Sequence, residues 1–129
     1  PVAGVHALAY PIGGIFKVPH GLSNSLILPE VIKYNYLNGN ISCDYDYLSK
    51  IISSHYDFGI NKKDNYYLFD NLKSLCMELN LPVRLRDIGI RLEDCEKLAK
   101  EAMKQSRLLV NNPVEIGYED ALMIYEKSW

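Results

Sequence analysis

The sequence predicts an all-α fold of five or six helices within one domain that spans residues 1–129. Its length of 129 residues corresponds to one domain of ordinary size. Apolar residues recur at the 3.6-residue period of amphipathic helices in several stretches. The β-branched clusters at 12–18 and 82–90 are short and are broken by glycine, proline or charged residues, which disfavours strands.

The first half of the chain contains two predicted helices that lie beyond residue 20. Residues 21–37 are predicted to form the first. Pro29 lies inside this helix and has no backbone N–H to donate, so we expect a kink near Glu30. Residues 44–56 form the next. Its predicted apolar side consists of Leu48, Ile51, Ile52 and His55.

The second half predicts three more helices. Asp64 is a candidate N-cap for the first, which continues through Leu79 and is ended by Asn80 and Pro82. Residues 92–103 form the second, with acidic residues in the first turn, where the helix dipole favours negative charge. The third follows Gly117, and its predicted buried side consists of Ala121, Leu122, Ile124 and Tyr125.

Charge and cysteine usage narrow the functional class. A formal net charge of −2 gives no electrostatic footprint for a phosphate backbone, so we expect no nucleic-acid partner. Cys43, Cys76 and Cys95 are odd in number and widely spaced, so they indicate core thiols in a reducing cytoplasm rather than a disulfide framework. No apolar run approaches the ~20 residues of a membrane span, and we expect no membrane partner.

Two of the three histidines are candidate metal ligands. His6 and His20 bracket the run at 11–19, whose prolines and glycines predict a sharp turn that brings the two imidazoles together. A complete metal site needs three or four ligands, and the spacing reveals no third one. Chance proximity near a loop therefore stays open as an alternative, and His55 is interpreted as a packed or surface residue.

The sequence around these histidines carries a specific resemblance. The stretch HALAYPIGGIFKVPHGLSNSLILP at 6–29 resembles the signature of the iron-containing (group III) alcohol dehydrogenases. The shared elements are a histidine at the start, Pro-x-Gly-Gly, Pro-His-Gly, and an asparagine followed five residues later by proline. The similarity extends along the chain, through LRDIGI at 85–90 and NNP at 111–113 to the final helix.

The resemblance implies a two-domain enzyme of dehydroquinate-synthase-like architecture. In that family an N-terminal α/β domain binds NAD or NADP, and a helical C-terminal domain holds the metal. This chain corresponds to the later part of the helical domain. The family metal is held by one Asp and three His, of which the last two match His6 and His20. An oxygen and nitrogen donor set suits Fe(II), with Zn(II) as the alternative.

The resemblance also directs attention to Tyr10 and Leu108. Many family members carry a histidine at the position of Tyr10, close to the nicotinamide, where it is thought to relay a proton. A phenol can donate a hydrogen bond but does not change charge near neutral pH as imidazole does. A catalytic role and a packing role for Tyr10 both stay open. Leu108 matches the family segment near the substrate cleft, which implies contact with the alcohol or aldehyde substrate.

Several functions are compatible with these observations. The first is the metal-binding domain of an NAD(P)-dependent alcohol dehydrogenase. Its partner would be the nucleotide-binding domain of the same chain. Whether several copies of the chain form a homo-oligomer stays open. A maleylacetate reductase or a hydroxyacid-oxoacid transhydrogenase is the near alternative, and a stand-alone helical interaction module is the distant one. The chain has no G-x-G-x-x-G motif and only two expected ligands, so we expect it to be inactive alone.

Overall fold

The computed structural model describes residues 2–55 and 68–129, and within these ranges the regular structure is entirely helical. The four helices of the first half are α1 (Gly4–Phe16), α2 (His20–Asn38), α3 (Ser42–His55) and α4 (Leu68–Glu78). The second half contributes α5 (Asp94–Ala102), the short α6 (Ser106–Leu109) and α7 (Tyr118–Ser128). A 3₁₀ helix at Leu85–Ile88 lies between α4 and α5. The all-α prediction is confirmed.

The main core is formed where α1, α2, α5 and α7 meet. Its fully buried members include one face of α1, through Leu8 and Ile12, and the α7 pair Ile124 and Tyr125. The Tyr125 hydroxyl donates a hydrogen bond of 2.6 Å to the carbonyl oxygen of Leu8, which joins the last helix to the first. Burial raises the pKa of Tyr125 well above its ordinary value, so this hydroxyl stays a donor.

A second, smaller core lies on the other side of α2. Its buried residues Ile32, Leu68 and Phe69 come from α2 and α4. The α3 residues Tyr45 and Ile52 pack against them. Because α2 contributes side chains to both cores, α3 and α4 form an outer layer that is attached to the main core through α2.

The prediction of a turn at 11–19 is wrong for residues 11–16, which are helical. The run continues as helix through Phe16, with Pro11 inside α1, and the chain reverses only across the three residues before His20. Proline removes one helical donor, since it has no N–H. Burial of Leu8, Pro11 and Ile12 against the main core offsets that loss. Pro29 likewise lies inside α2, which is one helix from His20 to Asn38.

Other predictions fail at the level of single side chains. Leu48 and Ile51 were expected on the apolar side of α3 but are exposed, while their neighbour Ile52 is half-buried. Leu92 lies before α5 begins and is also exposed. Cys43 is exposed, whereas Cys95 is buried as predicted.

The helix predicted at 92–103 agrees with α5 to within two residues, and the helix predicted after Gly117 begins at Tyr118. Asn80 adopts a left-handed conformation, with φ of 54°, just after α4, as expected for a helix end. The proposed N-cap Asp64 lies outside the described residues, as does the side chain of His55. Within the described ranges, no helix is long and apolar enough to cross a membrane.

Candidate metal centre

Helix α1 and the start of α2 bring three aromatic side chains to one place. His6 and Tyr10 are four residues apart on α1, so they lie on the same helical face. His20 is the first residue of α2, immediately after Pro19 at the N-cap position. The fixed backbone angle of proline suits a position next to the start of a helix, and here it directs the chain from the loop into α2.

The rings of His6, Tyr10 and His20, which we call the ring cluster, are neighbours in all three pairs. The centroids of the two imidazoles are 5.4 Å apart. The Tyr10 ring lies 5.8 Å from the His20 ring and 6.5 Å from the His6 ring, edge-on to the latter with an interplanar angle of 76°. The predicted convergence of His6 and His20 is therefore observed, although a helix followed by a short loop produces it rather than a long turn.

The ring cluster combines a buried base with an accessible outer side. Ala7, Leu8 and Ala9, which lie between His6 and Tyr10 in sequence, are fully buried. Tyr10 is 44% exposed and His20 is exposed, while His6 is half-buried. The cluster can therefore be reached by an ion or a small molecule, and its backbone is anchored in the main core.

The loop between α1 and α2 is held by contacts that fix the position of His20. Lys17 adopts a left-handed conformation, with φ of 60°, and its N–H donates to the carbonyl oxygen of Gly13 at 3.1 Å. The fully buried Ser23 donates its hydroxyl to the carbonyl oxygen of Pro19 at 3.2 Å. A Cβ on Gly13 would lie 3.3 Å from the carbonyl oxygen of Val18, so glycine permits this close return of the chain.

Asn24 makes a further contact with the ring cluster that the sequence reasoning missed. Its side-chain Nδ2 lies 3.0 Å from Nε2 of His20 and 3.0 Å from the carbonyl oxygen of the same residue. The available signal was the four-residue spacing from His20 at a helix start, because side chains at that spacing are neighbours on one face.

The two imidazoles fit a role as metal ligands, but they form an incomplete donor set. Metal–nitrogen bonds of ~2.0–2.1 Å allow rings at this separation to reach one ion. Across residues 2–55 and 68–129 no group of three or more His, Cys, Asp or Glu side chains could hold a metal. A site built on His6 and His20 therefore has no third His, Cys, Asp or Glu ligand among the described residues, and one that adds oxygen donors to these nitrogens suits Fe(II) or Zn(II).

Leu108, the predicted substrate residue, lies on a different element. It belongs to the short helix α6 and is half-buried against the main core. Helix α6 packs against α1, the helix that carries His6 and Tyr10. The structure thus joins three of the four predicted site residues directly, and contact of Leu108 with a substrate stays a prediction.

The chain matches one family model over residues 1–129, that of the Fe-containing alcohol dehydrogenase family, C-terminal. The chain belongs to this family. The helical fold and the resemblance seen in the sequence are thereby confirmed for the C-terminal part of an iron-type alcohol dehydrogenase.

Curated relatives within the family are dehydrogenases and reductases. The chain is 34% identical to long-chain-alcohol dehydrogenase 1 of Geobacillus thermodenitrificans, over 99% of this chain and 32% of the relative. It is 36% identical to 4-hydroxybutyrate dehydrogenase of Clostridium kluyveri, over 99% of this chain and 33% of that protein. The chain thus spans about a third of the length of the curated relatives it matches.

Solved structures of the family share the fold. An alcohol dehydrogenase from Oenococcus oeni matches with a TM-score of 0.81 and 28% identity, covering 98% of this chain and 32% of that one. A 1,3-propanediol oxidoreductase matches with a TM-score of 0.74 and 25% identity, over 98% and 32% of the respective chains. The arrangement of helices that positions the ring cluster is therefore that of iron-type alcohol dehydrogenases.

Proposed function

We propose that this chain is the metal-binding helical part of an NAD(P)-dependent alcohol dehydrogenase that interconverts alcohols and aldehydes or ketones. The observation that carries the proposal is the convergence of His6 and His20 at a centroid separation of 5.4 Å. Family membership and the dehydrogenase relatives support it. We further propose that Fe(II), with Zn(II) as the alternative, is the ion held at this place.

The chemistry of the proposed site is Lewis-acid catalysis. A divalent ion bound there would lower the pKa of the substrate hydroxyl, so that hydride can pass to the nicotinamide ring. In this reaction His6 and His20 hold the ion through neutral imidazole nitrogens. The exposed Tyr10, next to both imidazoles, is proposed to donate a hydrogen bond beside the reacting groups.

The remaining components of the enzyme are proposed to lie elsewhere in a longer chain. A preceding α/β domain would bind NAD or NADP, and the earlier part of the helical domain, upstream of this chain, would supply the other two ligands, an Asp and a His. Because the described residues offer only two of the four donors that the family resemblance implies, we propose that this chain is inactive alone. The free cysteines are typical of a reducing cytoplasm, which is the proposed location.

The related enzyme classes remain weaker candidates. A maleylacetate reductase is less favoured because its family branch usually departs from the Pro-His-Gly-x-x-Asn run that this chain keeps at 19–24. A hydroxyacid-oxoacid transhydrogenase would use the same metal ligands and differ in substrate. No described feature favours a stand-alone helical interaction module over the dehydrogenase.

The metal assignment can be tested on the 129-residue chain by titration with Zn²⁺, monitored by calorimetry. We expect weak binding at one site, since two imidazoles supply half of the ligand set. His6→Ala and His20→Ala should each abolish it. Tyr10→Phe is the matched control, because it changes the third ring of the cluster without removing a proposed ligand, and it should bind as the original chain does.

The outcomes separate the proposal from its alternatives. Unchanged Zn²⁺ binding in the double variant His6→Ala/His20→Ala would refute the assignment of these ligands. Loss of binding in Tyr10→Phe together with retention in either histidine variant would transfer the metal site to the phenol. An upstream coding sequence with a nucleotide-binding domain and an Asp-x-x-x-His pair would independently support the two-domain enzyme.

A further inference from the structure

The amide group of Asn24 has an orientation that its contacts determine. Its Nδ2 lies 3.0 Å from the carbonyl oxygen of His20. A carbonyl oxygen only accepts hydrogen bonds, so the amide atom that faces it is the NH₂ group and not Oδ1. This removes the ambiguity between nitrogen and oxygen that otherwise affects asparagine side chains.

The same NH₂ group also meets the imidazole of His20. Nδ2 lies 3.0 Å from Nε2 and has a second hydrogen to donate. A neutral imidazole has one donor nitrogen and one acceptor nitrogen. A hydrogen bond donated by Nδ2 to Nε2 requires that Nε2 accept it, which places the imidazole hydrogen on Nδ1.

The other end of the amide makes no contact that would hold the side chain. Within the described parts of the chain, Oδ1 of Asn24 is buried without a hydrogen-bond partner. The contacts of Nδ2 with His20, rather than any contact of Oδ1, therefore decide how the amide is held.

We propose that Asn24 is a positioning residue that holds His20 as the Nδ1–H tautomer. The electron pair of Nε2 then points to the amide of Asn24 until a metal ion takes the place of that amide. The inference rests on the proposed function, since it matters only where His20 is a metal ligand. A metal ligand must offer an unprotonated nitrogen, and the tautomer fixed by Asn24 offers Nε2. With Nε2 bound to an ion, Nδ2 would still have the His20 carbonyl oxygen as an acceptor.

A structural alternative predicts the same geometry without this role. Asparagine inside a helix often bonds to the carbonyl four residues earlier, and Asn24 does so. In that case the contact with Nε2 is incidental, and the imidazole would adopt the Nε2–H form that free histidine favours. The tautomer of His20 therefore distinguishes the two interpretations.

The test is a long-range ¹H–¹⁵N correlation spectrum of the ¹⁵N-labelled 129-residue chain, without metal, at a pH at which the imidazoles are neutral. We expect His20 to be protonated on Nδ1 and unprotonated on Nε2. Asn24→Asp has nearly the same shape but offers only acceptors, so it should move the hydrogen to Nε2. Asn24→Ala should release His20 to the Nε2–H form.

Two controls accompany these variants. Ser25→Ala removes a hydroxyl that bonds to the carbonyl oxygen of Leu22 on the same helix, and it should leave the His20 tautomer unchanged. The tautomer of His6 should not respond to any change at position 24. Backbone amide spectra establish that each variant is folded.

The proposal is overturned if His20 in the original chain is protonated on Nε2, a result that needs no variant. It is also overturned if both Asn24 variants keep the Nδ1–H form. Because this experiment contains no metal, either failure leaves Zn²⁺ binding by His6 and His20 untouched. Loss of the metal assignment in the Zn²⁺ titration would, conversely, leave the measured tautomer valid and remove only its functional meaning.

Discussion

Tyr10 is the third ring of the ring cluster and lies beside both proposed metal ligands. Its ring contacts both imidazoles of the ring cluster, yet 44% of its surface remains exposed. The ring of Tyr125, in contrast, is completely buried in the main core. The position favours a role in donating a hydrogen bond at the accessible side of the site.

Replacement of Tyr10 in the full-length enzyme tests that role. Tyr10→Phe keeps the ring and removes the hydroxyl, so we expect kcat to fall about five- to tenfold, the equivalent of one hydrogen bond of about 1 kcal/mol. Tyr10→His should have a kcat closer to that of the original enzyme than Tyr10→Phe has. The new imidazole should add an ionisation near pH ~6.5 to the pH profile of kcat. Steady-state kinetics across pH measure both. Unchanged kcat and pH profile in Tyr10→Phe would remove Tyr10 from the mechanism.

Sequence reasoning predicted that His6 and His20 lie together, because histidines at both ends of a specific signature are visible without coordinates. It did not find the contact between Asn24 and His20, which depends on a side-chain rotamer and on the direction of an amide. It also misplaced Leu48 and Ile51, since periodicity shows which residues share a face but not whether another element covers that face.

At the scale of a single element, helix α1 shows why the sequence wrongly predicts a turn at 11–19. Proline and two adjacent glycines are typical of turns, and local propensity alone predicts one there. In the structure Pro11 and Ile12 are buried against the main core, so tertiary packing overrides that propensity. The consequence for the site is direct, because a helical α1 places Tyr10 one turn beyond His6.

The start of α5 is stabilised by a side-chain carboxylate. Oδ2 of Asp94 accepts a hydrogen bond from the backbone N–H of Arg91 at 3.0 Å and another from its guanidinium Nε at 3.3 Å. These bonds, the backbone one above all, lower the pKa of Asp94 below its ordinary value. The folded state therefore favours the ionised carboxylate, and folding stability depends on pH through this residue.

Asp94→Asn tests the contribution. A carboxyl with a depressed folded-state pKa stabilises the protein above its unfolded-state value, near pH ~3.9, and loses that effect as pH falls through the folded-state value. We expect the urea midpoint of Asp94→Asn to lie below that of the original chain at neutral pH, with the difference shrinking in acid. Glu119→Gln, an exposed acid in the first turn of α7, is the control. A difference independent of pH would contradict the assignment.

At the scale of the whole molecule, the two cores differ in how well they are buried by the residues that the structure describes. The main core contains many fully buried side chains from α1, α2, α5 and α7. The smaller core is closed by helices whose outer sides expose Tyr47, Leu48 and Met77. Local opening is easiest where few apolar contacts hold an element, so α3 and α4 should open before the rest. The ring cluster lies on α1 and α2, at the better-buried end of the molecule.

Hydrogen exchange measured by mass spectrometry can establish this order. We expect the helical amides of α3 and α4 to exchange before those of α1, α2 and α7, because their opening exposes only the smaller core. Phe69→Ala removes a buried ring from that core and should accelerate exchange in α3 and α4 while leaving α1 unchanged. Leu98→Ala, in the main core, should accelerate exchange throughout.

Exchange of α1 together with α3 in the original chain would contradict the two-layer order. The expected order would mean that the ring cluster keeps its geometry while the outer layer opens, so ligand spacing does not depend on α3 or α4.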